Sequence, residues 1–253
     1  MKKTILFWVL AFIITIASAV YQRVTGPTYP LSGSIHFEGQ NIKYKLERSH
    51  STSSDYEIRI ETGDELIRGT LYWKKLEDHQ YEKIEMSGGK ILRAKLPAQK
   101  RLEKLQYYIK LMKENASAGI PPDGVVTIRF KDDVPMTVLI PHIIAMFLAM
   151  FFSTRTGLEF FNNKPKLDKL ALWTIIVLFI GGFPLGFAMN GIAFGEMWGG
   201  WPFGSDVTDN KTQVAFIGWL IAFFMIKKNK NGKIFALLAA LLVLVVYLIP
   251  HSL

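Results

Sequence analysis

The sequence LALWTIIVLFIGGFPLGFAM, residues Leu170–Met189, decides the architecture of this chain. It contains no charged residue and matches the roughly 20 residues that an α-helix needs to cross a bilayer. Four further apolar runs reach that length once their flanking residues are included: Ile5–Val20, Thr137–Phe152, Val214–Ile226 and Ile234–Ile249. The sequence therefore predicts a membrane α-helical bundle of five transmembrane helices.

The composition agrees with a membrane protein that also carries a polar domain. Hydrophobic residues make up 50% of the chain, yet 20% of the residues are charged, a mixture that a purely membrane-embedded protein would not need. Cysteine is absent, which excludes disulfides, thiolate metal sites and haem attachment through a Cys-x-x-Cys-His motif.

The basic residues next to the apolar runs predict the orientation. Short loops rich in Lys and Arg mark the cytoplasmic side of a membrane protein. With five crossings, all three basic clusters fall on one side if the N-terminus is cytoplasmic, which leaves residues 25–136 and 190–212 outside the cell membrane. The clusters are Lys2 and Lys3; Arg155, Lys164, Lys166 and Lys169; and Lys227, Lys228, Lys230 and Lys233.

The net charge of +9 is therefore mostly a signal of topology. Residues 25–136 contain nearly balanced acids and bases, and we expect no basic stripe, no nucleic-acid motif and no nucleic-acid partner.

The first apolar run has two interpretations. Ala17-Ser18-Ala19 follows a basic start and an apolar core, as a signal-peptidase site does. We expect residues 1–24 to be a retained membrane anchor, with a cleaved signal peptide as the alternative.

Residues 25–136 predict an extracytoplasmic antiparallel β-sandwich domain. About eight short stretches alternate apolar and polar residues, which is typical of half-buried strands. Gly39-Gln-Asn41 predicts a hairpin turn, and Ser49–Ser54 a serine-rich turn. Lys100–Lys113 also fits helical spacing, although its adjacent tyrosines and the preceding Pro97 favour a strand. Residues 137–253 then form a four-helix transmembrane domain.

No catalytic constellation is visible in the predicted β domain, and we expect no enzyme activity. Its histidines lie on different elements without triad or metal spacing; they are His36, His50 and His79.

Two other histidines share one predicted membrane face. His142 follows Pro141 near the start of the second span, and His251 follows Pro250 at the end of the fifth. An ionisable group in or beside a span is a candidate functional group, and paired neutral imidazoles can hold haem iron axially. The alternative is that both histidines only lie at helix ends in the headgroup region.

The outer loop 190–212 is rich in aromatic residues and glycine. Trp198, Trp201 and Phe203 could contact the faces and edges of a porphyrin, and glycine allows close backbone approach. Tryptophan also collects at membrane interfaces without any ligand.

The acidic residues of the same loop have two interpretations. Glu196, Asp206 and Asp209 could supply oxygen ligands to a hard cation. Asp209 and Thr208 could instead cap the fourth span.

Residues 181–220 resemble the tryptophan-rich haem-handling motif of cytochrome c assembly membrane proteins. The resemblance rests on Trp198-Gly-Gly-Trp201, on Asp209-Asn-Lys-Thr212 and on Trp219 in the following span. Phe203 stands near where that motif has a further tryptophan, residues 205–208 are inserted, and Asn210 replaces a proline. The resemblance implies a haem held at the outer face between two histidines, here His142 and His251 by their predicted topology.

Two functions follow from these patterns. The first is an integral membrane accessory protein that binds haem at the outer membrane face, for haem handling or electron transfer. The second is a non-catalytic membrane scaffold or subunit whose β domain and aromatic loop dock onto a membrane or extracytoplasmic protein complex. In both cases the lipid bilayer is a partner.

Overall fold

A computed structural model describes residues 2–228 and 231–249. The chain divides into two compact units. Residues Thr28–Asp133 form a β unit, and Met1–Pro27 together with Val134–Leu253 form a helical unit.

The helical unit covers all five apolar runs with helices. The third run is continuous, because a π-helical turn at Gly181–Leu185 joins α3 to α4. A short 3-10 turn at Glu159–Phe161 follows α2. The helices are α1 Lys2–Thr25, α2 Met136–Leu158, α3 Leu167–Ile180, α4 Gly186–Phe194, α5 Val207–Lys227 and α6 Gly232–Leu248.

Three of the described helices are long and apolar enough to cross a membrane: Lys3–Thr25, Met136–Phe161 and Leu167–Phe194. A fourth apolar helix, Gly232–Leu248, is shorter. The chain therefore combines helices of membrane-spanning length and composition with a separate β-sheet unit, as predicted in outline.

The helices of this unit approach closely at small residues. Gly157 on α2 faces Ala240 on α6, and a Cβ added to Gly182 would lie 2.5 Å from Thr212 Cγ2 on α5. Small residues let helix backbones come together where apolar surroundings supply no hydrophobic driving force.

One end of the helical unit contains a buried ion pair. Arg155 Nη1 lies 2.6 Å from Glu159 Oε1, and the two side chains are only 3% and 1% exposed. The two residues are four positions apart, and the pair lies inside the protein rather than on its surface. The rings of Phe7 and Trp8 on α1 cover the guanidinium, whose carbon lies 5.6 and 5.0 Å from their centroids.

The opposite end of the unit is tied together at the end of α6. Gln22 Nε2 on α1 donates to Tyr247 O at 2.7 Å. Lys211 Nζ, in the first turns of α5, donates to Ile249 O at 2.6 Å. These contacts, with those at the ion-pair end, mean that successive apolar helical segments run in alternating directions.

The β unit contains ten strands among its described residues. They are β1 Leu31–Phe37, β2 Gln40–Leu46, β3 Ser49–Ser51, β4 Tyr56–Glu61, β5 Arg68–Lys75, β6 Glu82–Glu85, β7 Ile91–Leu96, β8 Lys104–Lys113, β9 Ala116–Ile120 and β10 Val126–Lys131. β1 and β2 form a hairpin, β4 pairs with β7, and the other six strands form one sheet in the order β3-β10-β8-β5-β6, with β9 on β8.

One hydrophobic core joins the three sheets. The inward residues of the strands other than β3 and β6 are buried, among them Ile58, Leu71, Leu92 and Ile128. The alternating pattern that predicted strands, including Lys104–Lys113, is thus confirmed. Two details of the prediction are wrong. Within Ser49–Ser54 the predicted turn is confined to residues 52 and 53, because Ser49–Ser51 form strand β3. β3 also pairs parallel to β10, whereas the prediction was an antiparallel sandwich. Neither β3 nor β9 was predicted as a strand.

The expectation of no basic stripe is also wrong for one face of the β unit. The outward positions of β5, β6 and β8 carry cations at Arg68, Lys74, Lys83, Lys104 and Lys110. Glu85 is the one carboxylate among these positions. This face appears only when β5, β6 and β8 lie side by side, because their outward residues come from segments that are separate in the sequence.

The Asp64–Lys113 pair predicts a pH dependence of the β unit. Lys113 Nζ donates to Asp64 Oδ2 at 2.7 Å. This bond, helped by the Leu66 N–H, lowers the pKa of Asp64; the same bond raises the pKa of Lys113. The stabilisation is present above the ordinary carboxyl pKa and is lost as pH falls through the lowered one. We expect the difference in Tm between the wild type and Asp64→Asn, followed by circular dichroism, to shrink below about pH 4. A constant difference down to about pH 2 would contradict this.

Candidate functional site

The site is built around the π-helical turn of the third apolar segment. Pro184 cannot donate a backbone hydrogen bond, so the regular helical ladder is interrupted here. His142, in the second turn of α2, places Nδ1 3.0 Å from Gly181 O. The histidine and the helix break thus hold each other in position.

The hydrogen bond to Gly181 determines the tautomer of His142. A carbonyl oxygen only accepts hydrogen bonds, so Nδ1 carries the proton and Nε2 carries the lone pair. Nε2 makes no hydrogen bond to any residue that the structure describes. A metal-binding histidine typically has this arrangement, with one ring nitrogen donating to a backbone carbonyl and the other facing the metal.

Trp198 packs onto the same helix break. Its ring stacks on Phe183 at a centroid distance of 5.8 Å and meets Phe187 edge-on at 5.5 Å. A Cβ on Gly200 would lie 2.9 Å from Trp198 Cζ2, so glycine is needed for this close approach. Trp198 is therefore a partly buried anchor of the loop.

Asp209 holds the loop from the other side. Its carboxylate is buried and accepts from Gly199 N at 2.7 Å and from Asn190 Nδ2 at 2.9 Å. The cap of α5 is Asp206, whose Oδ1 accepts from Thr208 N and Asp209 N. The predicted capping by Asp209 and Thr208 is wrong, because α5 begins at Val207 and the preceding carboxylate meets its free N–H groups.

The tip of the loop is apolar and exposed. Met197 and Trp201 are each 68% exposed, and Phe203 is 83% exposed. The backbone beneath them is fixed, since Trp201 N donates to Asn210 Oδ1 at 2.7 Å and Phe203 N to Gly200 O at 2.9 Å. A fixed backbone thus presents large, exposed apolar side chains. We call Met197, Trp201 and Phe203 the loop tip.

The structure brings only part of the predicted site together. His142 and Trp198 both contact the turn Gly181–Leu185, whereas Trp201 and Phe203 are exposed. His251 lies outside the described residues. Ile249, two residues earlier in the sequence, accepts from Lys211 close to the end of the loop.

The alternative cation site is not formed by the described carboxylates. Asp206 and Asp209 use their oxygens for backbone and amide hydrogen bonds, and Glu196 is exposed. No group of three or more Asp, Glu or His side chains converges on a metal position in the described part of the chain.

The two tryptophans predict a contrast in stability. We expect Trp198→Ala to destabilise the helical unit by at least about 1 kcal/mol, because it removes two aromatic contacts and leaves a gap over Phe183. Trp201→Ala, the matched control, is expected to stay within about 0.5 kcal/mol of the wild type. Unfolding in detergent measures both, and equal effects would contradict this account of the loop.

Sequence reasoning missed the centre of the site. It identified His142 but not its partner, the Gly181 carbonyl, and it did not connect Asn190 with Asp209. Pro184 inside an apolar helix was the available signal, since a proline there interrupts the helical hydrogen-bond ladder. The pairing itself depends on how α2 packs against α3.

No protein-family model matches this chain, and no curated protein matches it.

Proposed function

We propose that this chain is a non-catalytic integral membrane protein that binds haem at its outer face, where His142 would hold the haem iron. The observation that carries the proposal is the hydrogen bond from His142 Nδ1 to Gly181 O. It supports the tautomer and ring orientation that an iron ligand needs, before any haem binds.

The surroundings of His142 fit a porphyrin. Phe183 and Trp198 form a stacked aromatic wall on the turn that holds His142, and the loop tip adds exposed aromatic faces. Porphyrins bind through such apolar contacts at their faces and edges. Bound haem would supply one-electron redox chemistry or serve as transferable cargo. The protein residues would hold it, orient it and keep water away.

His251 is the proposed second ligand. Lys211 donates to Ile249 O, which ties the chain just before His251 to the first turns of α5. Tyr247 OH lies 3.7 Å from Met146 Sδ, one turn along α2 from His142. These contacts hold the described chain up to Ile249 at the end of the unit that carries the loop, and His251 follows two residues later in the sequence.

The finer architecture belongs to the same proposal. We propose five membrane crossings, a cytoplasmic N-terminus and a β-sandwich outside the cell membrane. The alternating helix directions and the basic clusters at one end support this topology, because Arg155, Lys166 and Lys233 all belong to the end opposite the loop.

Haem titration of the full-length protein in detergent tests this function. The expected result is saturable uptake of one haem with a sharp Soret band and the visible bands of a low-spin histidine complex. Two controls contain the same weight of detergent. One is micelles alone, and the other is micelles with a membrane protein that has no haem site. Uptake no greater than that of the control would refute the haem function.

The exposed loop tip supports a second candidate function, docking onto a membrane protein complex. Aromatic and methionine side chains that are exposed on a fixed backbone are common at protein interfaces. If docking is the function, Trp201→Ala with Phe203→Ala releases a co-purifying partner while haem uptake stays unchanged.

A further inference from the structure

The outward face of the six-stranded sheet is strongly cationic. Five cations and one carboxylate occupy the outward positions of β5, β6 and β8, as described above. Arg68, Lys83, Lys104 and Lys110 form no ion pair with any described residue. Like charges on one face of a sheet repel one another, and an anionic partner would remove that repulsion. We call Arg68, Lys74, Lys83, Lys104 and Lys110 the cationic face.

A tyrosine cluster holds the middle of this face in place. Tyr72 and Tyr108 stack nearly parallel at 4.9 Å, and Tyr81 meets Tyr108 edge-on at 5.3 Å. Lys83 Nζ lies 5.5 Å from the centre of the Tyr72 ring, and Lys74 Nζ 5.3 Å from that of Tyr81. Cation–π contacts of this kind order lysine side chains before binding, which lowers the entropy lost on association.

An open groove of about 300 Å³ lies beside the cationic face. Leu66 and Met112 line it and are 66% and 45% exposed, together with Arg68, Thr70, Lys113 and the carboxylates Glu85 and Glu114. The hydrophobic core of the β unit is formed by other residues. Leu66 and Met112 are therefore not part of that core. The groove can receive an apolar side chain of a partner.

The combination of cations, tyrosines and exposed apolar side chains identifies the class of partner. Arginine, tyrosine and methionine are enriched at protein interfaces, and tyrosine and arginine dominate their binding energy. A polysaccharide or a nucleic acid would use the cations but would gain little from Leu66 and Met112. The tyrosine faces are already covered by each other and by lysines, so they offer no open platform for sugar rings or bases.

We propose that this face docks an acidic segment of another protein. Asp and Glu side chains of the partner lie against Arg68, Lys104 and Lys110, and an apolar partner side chain enters the groove between Leu66 and Met112. This interface is independent of the haem proposal, because it uses the β unit alone and needs no cofactor.

Site-specific photo-cross-linking in native membranes tests the interface. The full-length chain carries p-benzoylphenylalanine in place of Met112, and cross-linked peptides are identified by mass spectrometry. The expected result is one partner peptide rich in Asp and Glu. Its yield should fall at least about tenfold with Lys104→Glu and Lys110→Glu, and reversing the partner's own acids should restore it.

A matched variant controls for net charge. Lys43 and Lys95 lie in the other two sheets, so Lys43→Glu with Lys95→Glu makes the same change in charge away from this face. This variant should cross-link like the wild type, and all variants should share one Tm. Cross-links to lipid or glycan, no cross-linked protein, or equal loss in both double variants would each overturn the proposal.

Discussion

Replacing Glu159 with glutamine is expected to destabilise the helical unit by about 3–5 kcal/mol. The substitution keeps an amide oxygen that can accept from Lys166 N and Asn162 Nδ2, as Glu159 Oε2 does at 2.9 and 3.0 Å. It removes only the negative charge. The Arg155 side chain, 3% exposed, cannot lose its proton and would be left as an uncompensated buried charge. Chemical unfolding in detergent, followed by helical circular dichroism, measures the loss.

A second variant separates the charge from the packing. The double variant combines Glu159→Gln with Arg155→Met, so the cation that Glu159→Gln alone would leave unpaired is removed. The methionine side chain can occupy much of the space beneath Phe7 and Trp8. Replacing both members of a buried pair is often nearly neutral, so the double variant should recover most of the lost stability. If the unfolding free energy of Glu159→Gln alone were within about 1 kcal/mol of the wild type, Arg155 would have to be solvated, contrary to the structure.

Much of the architecture could be predicted from local patterns. The apolar runs predicted the positions of the helices, and alternation predicted most strands, because burial on one face imposes a period on the sequence. What could not be predicted depends on partners distant in sequence. β3 has only three residues, and its pairing with β10 joins segments about 80 residues apart. The cationic face is similar, since it appears only when β5, β6 and β8 lie side by side.

The candidate site was predicted in composition but not in structure. Trp198 and Trp201 look equivalent in the sequence, yet one packs on Phe183 and the other is exposed. The difference follows from the direction of the chain after Gly195, whose φ of 84° ends α4 in a left-handed cap. Nothing in the local sequence indicates which ring then meets the helix.

His142 is expected to dominate haem binding. Loss of an outer-shell partner of a metal ligand typically costs about 10–100-fold in affinity, and loss of the ligand itself should cost at least as much. His142→Ala should therefore lower haem affinity by more than about 10-fold and abolish the low-spin spectrum. The side chain contributes one hydrogen bond to folding, worth about 1 kcal/mol, so the variant should still fold. His36→Ala, at an exposed position on β1, is the matched control and should bind haem like the wild type.

The most direct test of the central claim is the spectrum of haem-loaded His142→Gly before and after adding imidazole. If His142 Nε2 holds the haem iron, removing the ring leaves space beside Gly181 that free imidazole can fill. The low-spin Soret band should be lost in the variant and return with imidazole. A variant that keeps the wild-type spectrum without imidazole would contradict the claim, and so would a wild-type protein that takes up no haem.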